Sequence, residues 1–235
     1  METEQQTLGE GREGVTVVML KLSLPKPGDR PLQLLCLGAH ADDIEIGCGG
    51  TILHLIETIT DLEIYWVVFS SEGKRKQEAK MSAARFLRNA KKKTVLIKRF
   101  RGSFFPFRGE AIKECFEQLK EICQPDVVFT HYRGDLHQDH RVISDFTWNT
   151  WRNDLILEYE IPKYDGDLGS PNLFVPVSHD LCRKKTTHLL ECFRTQADKP
   201  WFTEDTFMSL MRLRGIECNA AHKYAEAFYA RKLVL

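Results

Sequence analysis

From residue 33 onward, short apolar runs alternate with longer segments whose apolar positions recur every three or four residues. Runs of four to eight apolar residues read as buried strands, and the three-to-four spacing reads as helix. On that basis strands are expected near 33–38, 63–69, 94–98 and 126–130, with helices near 49–60, 75–90 and 109–123. The second helix would carry Ala79, Ala83, Phe86 and Ala90 on one side, and the third Ile112, Phe116, Leu119 and Ile122. Further helices are expected near 139–152, 180–195 and 204–214, and further strands at 156–161, 174–177 and 226–234. Successive β-α-β units imply a mostly parallel sheet covered on both faces. The expected fold class is therefore α/β, a three-layer Rossmann-like arrangement.

The first residues do not follow this rhythm. Residues 1–14 are polar and rich in Gly and Glu, and an apolar stretch beginning at Val15 stops at Pro25-Lys26-Pro27-Gly28. We expect residues 1–30 to be an N-terminal extension, partly disordered, and 31–235 to form one domain. Met19, inside the apolar stretch, is a candidate alternative start.

Two of the expected strands end on residues that carry chemistry. The first runs into Cys36-Leu37-Gly38-Ala39-His40-Ala41-Asp42-Asp43, an imidazole followed by two adjacent carboxylates. The second, Asp126-Val127-Val128-Phe129-Thr130, gives way to His131-Tyr132-Arg133-Gly134-Asp135-Leu136-His137-Gln138-Asp139-His140. In parallel α/β sheets, functional groups gather beyond the carboxyl ends of the strands. Both segments fall there, and their N and O donors suit a metal with an open catalytic position.

Together the segments resemble the two signatures of the PIG-L / LmbE-like zinc N-deacetylases, His-Pro-Asp-Asp followed much later by His-x-Asp-His. The resemblance extends through Gly47-Cys48-Gly49-Gly50-Thr51, Arg75 and Glu78, Phe100-Arg101 and Phe104-Phe105-Pro106, and Gly215-Ile216 with Lys223–Phe228. It implies zinc held by His40, Asp43 and His140, with Asp42 as general base. His137 would face the developing oxyanion, and Asp139 would hydrogen-bond to His137 and fix its tautomer. Arg75 and Arg101 match positions that bind a sugar hydroxyl or a phosphate, although solvated surface is an equal reading for them. The implied reaction is hydrolysis of the acetyl amide of an N-acetylated amino sugar or sugar conjugate. The alternative within the same fold is a zinc-dependent hydratase of a small unsaturated carboxylic acid.

Two departures from the family pattern stand out. Ala41 occupies the usual proline position, which relaxes the turn without removing any chemistry. Asp135-Leu136 stand where some sugar-deacetylating relatives place a tyrosine, so Tyr132 is at best a weak substitute. His131 is expected to be a structural histidine at a strand end, and His54, His179, His188 and His222 to be surface or core residues. The run Phe104-Phe105-Pro106-Phe107 reads either as core or as one wall of a substrate cleft. Gly47-Cys48-Gly49-Gly50 fails the dinucleotide pattern because Ile52 holds its last position, and close backbone packing is the expected role of these glycines.

Composition narrows the partners. Lys plus Arg and Asp plus Glu both number 33, so no overall charge excess recruits nucleic acid or an anionic membrane. No segment offers the roughly 18 consecutive apolar residues that a membrane span needs. The seven cysteines form no Cys-x-x-Cys pair and read as reduced core thiols. The expected setting is the cytoplasm, and a homo-oligomer is compatible with the sequence.

Overall fold

In the computed structural model, residues 21–24 and 30–234 are described. Most of the expected N-terminal extension, 1–30, therefore lies outside the described residues. The chain runs β1 (Leu32–Gly38), α1 (Asp43–Thr58), β2 (Leu62–Val68), α2 (Gly73–Phe86), β3 (Lys92–Ile97), α3 (Gly109–Ile122), β4 (Val127–His131) and α4 (Gln138–Thr150). It continues with β5 (Leu155–Tyr159), β6 (Leu173–Pro176), α5 (His179–Cys192), α6 (Glu204–Glu217) and β7 (Ala225–Ala230). Two short 3-10 turns, Phe105–Arg108 and Arg194–Gln196, were not legible from the periodicity.

The strands form one sheet in the order β3-β2-β1-β4-β5-β7-β6. The first five are parallel, and β7 pairs antiparallel with both β5 and β6. Helices on both faces explain why β1 and β2 are almost wholly apolar, since neither face of these strands meets water. Alternate β1 residues feed two cores. Leu34 and Cys36 join Trp66, Phe86, Phe129 and Phe228 on one side, while Leu35 and Leu37 join Val67, Phe69, Phe116 and Ile143 on the other. Edge strand β3 is half exposed and opens on Lys92 and Lys93, charges that discourage further strand pairing. Six of the seven free cysteines are buried, and Cys218 is partly so.

The α1 helix starts six residues earlier than its pattern suggested. Its backbone breaks at Cys48, where φ is −141° and ψ 15°, so the apolar periodicity reports only the second half. The break frees backbone groups that must find partners in the core. Glu226 accepts the Gly50 and Thr51 N–H groups at 2.8 and 2.6 Å, and Lys185 donates to the Ile46 carbonyl at 2.6 Å and to Glu226 at 2.6 Å. The glycines serve packing: a Cβ on Gly47 would lie 2.1 Å from the Tyr159 ring, and one on Gly50 would lie 3.0 Å from Glu226.

The strand order reverses between β1 and β4, which is the topological switch point where ligands sit in open α/β sheets. The two motifs leave from these neighbouring strands.

Candidate metal centre and active site

At the end of β1 the chain passes through Ala39-His40-Ala41-Asp42 directly into α1, which turns Asp42 and Asp43 back over the strand end. The His40 N–H donates to Asp43 Oδ2 at 2.6 Å and closes this turn. One strand away, β4 ends at His131, and the following loop delivers His137 as the N-cap of α4, with His140 in the first helical turn. Two strand ends and two helix starts thus hold the chemistry, which makes it rigid.

Three donors form a compact triangle. His40 Nδ1 lies 3.4 Å from Asp43 Oδ2, His140 Nε2 lies 3.6 Å from the same oxygen, and the two nitrogens are 3.2 Å apart. Tetrahedral zinc with bonds of about 2.0–2.1 Å separates its ligand atoms by roughly 3.3 Å. The edges of the triangle match that spacing, and two imidazoles with one carboxylate are a donor set that zinc accepts. These residues fit a divalent ion.

Two other histidines crowd the same space. His131 stacks on His140 at 3.9 Å between ring centroids, and its Nε2 lies 3.2 Å from Asp43 Oδ2. The Ala39 N–H donates to that nitrogen at 3.0 Å, which occupies the lone pair a metal would need. His131 therefore braces the centre, in keeping with a structural role. His137 stands edge-on to His40, with centroids 4.8 Å apart, and its Nδ1 accepts the Asp139 backbone N–H at 3.2 Å. With Nδ1 accepting, the ring proton sits on Nε2, and a ring nitrogen of His137 lies within 4.8 Å of those of His40 and His140.

The carboxylate of Asp139 goes elsewhere than expected. It accepts His40 Nε2–H at 3.0 Å, the Ser103 N–H at 2.6 Å and the Phe105 N–H at 3.2 Å. The side chain thus orients His40 rather than His137, and the His137 tautomer is set by the Asp139 backbone instead. The reason lies in the helix cap: His137 folds over the α4 N-terminus, so Asp139 points away from it and into the Ser103 loop.

His140 has its own carboxylate, from a residue that stands out in the sequence only as a departure from the family pattern. Asp135 Oδ2 accepts from His140 Nδ1 at 2.8 Å, and Asp135 Oδ1 accepts the His137 N–H at 2.7 Å. Metal-binding histidines commonly donate their second N–H to a carboxylate that fixes ring and tautomer, and both histidines of the triangle do so here.

Arg75 is in the site but already engaged: its Nη2 donates to Asp42 Oδ1 at 2.6 Å, and its guanidinium stands 5.5 Å over the Phe193 ring. Its Nη1 is buried with no hydrogen-bond partner. Arg101 lies on an exposed loop and stacks 3.7 Å over Phe104. That loop reaches the centre through Gly102, where a Cβ would lie 3.8 Å from the His40 ring. The aromatic run divides: Phe105 is fully buried and stacks on His40 at 6.1 Å, whereas Phe104 and Phe107 are exposed. Of the two readings left open for this run, core describes Phe105, while the exposed pair remains free to meet a ligand.

The electrostatics follow from this crowding. Burial works against the Asp43 carboxylate, but His140, His131 and His40 around it hold it well below its usual range. Burial likewise opposes charge on His40, yet Asp43 and Asp139 on either side raise it to about 10. His140, buried and facing His131, is lowered to about 4 despite Asp43 and Asp135. His137 is lowered by burial and by His40. Metal ligation needs deprotonated donors, so a bound ion would displace the His40 Nδ1 proton.

Residues 35–151 match the family described as PIG-L: GlcNAc-PI de-N-acetylase, and the chain belongs to the PIG-L family. The match spans both motif strands and the helices that follow them. Among solved structures, the fold is similar to N,N'-diacetylchitobiose deacetylase from Pyrococcus horikoshii, with 22% identity, TM-score 0.66, and 88% of this chain and 86% of that one covered. It is also similar to GalB, the 4-carboxy-2-hydroxymuconate hydratase of Pseudomonas putida KT2440, with 15% identity, TM-score 0.69, and coverage of 87% and 98%. A conserved protein from Thermus thermophilus aligns at 19% identity and TM-score 0.67, covering 87% of this chain and 96% of that one. At these identities the likeness is one of fold, and two different reactions share it.

Proposed function

We propose that this chain is a zinc-dependent hydrolase that removes the acetyl group from an N-acetylated amino sugar or sugar conjugate. The observation that carries this reading is the His40, Asp43 and His140 triangle with Asp42 beside it, in a chain of the PIG-L family. When bound, zinc polarises an amide carbonyl and brings the pKa of a water to about 7. Asp42 then accepts the proton of the attacking water, and His137, with its proton on Nε2, faces the carbonyl oxygen and the departing amine. Asp139 and Asp135 hold His40 and His140 in the ring orientations that ligation requires.

Arg75 sits at the junction of base and substrate. Its Nη2 holds Asp42 and its buried Nη1 lies 3.8 Å from Glu78 Oε2, so its first role is to fix the base, and contact with a sugar hydroxyl or phosphate falls to the part of the side chain left exposed. Arg101 with Phe104 offers a cationic and aromatic edge farther out. Among the described residues no helix is long and apolar enough to cross a membrane.

The test is incubation of the zinc-loaded protein with a panel of N-acetylated sugars, sugar conjugates and sugar nucleotides, with free amine and acetate both measured. Equal release of both is the expected result. Hydration of an unsaturated carboxylic acid in a parallel panel, with no acetate from any sugar, would replace this reading with the hydratase one.

A further inference from the structure

Behind the proposed metal centre lies a charged group that the mechanism above does not use. The chain leaving β5 carries Lys163, whose side chain is only 9% exposed and reaches Asp135 Oδ2 at 3.0 Å. The same oxygen accepts from His140 Nδ1 at 2.8 Å. Lys163 also pairs with Asp167, whose Oδ2 accepts the Leu136 N–H at 2.7 Å. Asp165 Oδ2 stands farther off at 3.8 Å, so Lys163 sits among three aspartates from two separate loops, with Asp135 and Asp167 as the close pair.

We propose that Lys163 is a positioning residue for the metal centre, acting on His140 through the Asp135 carboxylate. This rests on the reading of His40, Asp43 and His140 as ligands. The physical need is specific. A ligating His140 is neutral, so it cannot compensate the buried Asp135 charge, and a buried carboxylate without a counter-charge is costly. Lys163 supplies that charge on a fixed stem. Its ammonium shares Oδ2 with the imidazole, at 3.0 and 2.8 Å, which holds that oxygen between two donors. Since Asp135 Oδ1 holds the His137 N–H at 2.7 Å, a displaced Asp135 would disturb both histidines of the second motif.

A purely structural role, stapling the 163–167 loop onto the 132–137 loop, is the competing explanation, and metal affinity separates the two. The zinc dissociation constant is measured by competition with a chromogenic chelator for the full chain and for Lys163→Met, Lys163→Arg, Asp135→Leu and the Lys163→Met/Asp135→Leu pair. Melting of each metal-free form is followed in parallel. Outer-sphere partners of metal ligands contribute about 10- to 100-fold in affinity. We expect Asp135→Leu to weaken zinc binding within that range and Lys163→Met by ~10-fold. The double variant should bind no more weakly than Asp135→Leu alone, because Lys163 acts through the lost carboxylate. Lys163→Arg, which keeps the charge, should restore most of the affinity. Unchanged affinity in Lys163→Met, full additivity in the double variant, or equal losses in the Met and Arg variants would each overturn the proposal. A wild-type chain that binds no zinc would instead overturn the assignment of the ligands, and this inference with it.

Discussion

Asp43 and Glu45 stand two residues apart in the first turn of α1, both almost wholly removed from water, and their carboxyl groups behave in opposite ways. Asp43 faces the ends of β1 and β4, where three imidazoles surround it and hold it well below its usual range. Glu45 faces the interior, neither of its oxygens has a hydrogen-bond partner, and burial, with the Asp42 and Asp43 charges adding to it, raises it to about 8. Burial is common to both, so company decides the charge. The side of the helix that meets the two strand ends can hold a cation, and the other side favours a neutral acid.

The largest effect should come from the reacting side. Asp42→Ala should keep its metal and lose about 10²- to 10⁴-fold in turnover, the usual contribution of a placed general base. Near-normal turnover on a substrate that the parent deacetylates would remove Asp42 from that role.

Next in size is the support of His40. Asp139→Ala removes the acceptor of His40 Nε2–H and should weaken zinc binding by about 10- to 100-fold. His137→Ala, with a ring the carboxylate does not touch, should bind zinc normally while turning over slowly. If the two variants exchanged these phenotypes, the pairing of Asp139 with His40 would be wrong.

Glu45 sharpens the contrast through stability. The unfolded carboxyl releases its proton near pH 4.3, by the usual value, and the folded one near 8. Between those pH values the folded state binds more protons, so stability should fall as pH rises across the window and level off above it. Glu45→Gln should flatten that slope in the metal-free protein, by an amount on the order of a few kcal/mol. Denaturant titrations at pH 5 and pH 8 would show it, and an equal slope in both proteins would mean that Glu45 is not neutral in the fold.

The smallest effect is expected at the exposed edge. Arg101→Ala should raise KM several-fold for an acetylated sugar and leave kcat nearly unchanged, since a peripheral cation binds ground state and transition state alike. An effect on kcat alone would move Arg101 into the chemistry.

The buried centre was legible in the sequence because strand ends in a parallel sheet have few places to go. The apolar runs located β1 and β4, and the polar residues immediately after them had to meet at the switch point. The family signatures then supplied the roles proposed for those residues. Side-chain direction was harder. Asp139 reaches His40 because His137 caps α4, a feature of one turn that no periodicity reveals. Arg75 lies in the first turn of α2, which starts at Gly73, two residues earlier than expected, and its pairing with Asp42 is a contact between two elements that periodicity does not show. Asp135 was visible as a carboxylate five residues before His140, and its role follows from the loop that returns it beneath the ring. Lys163 lies beyond β5 in a segment with no pattern, so only the fold brings it to Asp135.

The central claim is that His40, Asp43 and His140 hold one divalent ion. It is tested most directly by elemental analysis of the purified chain and of His140→Ala after zinc loading and removal of weakly bound metal. The account predicts about one zinc per wild-type chain, by the three-ligand logic of catalytic sites, and far below that in the variant. Full, tight occupancy in His140→Ala would contradict it.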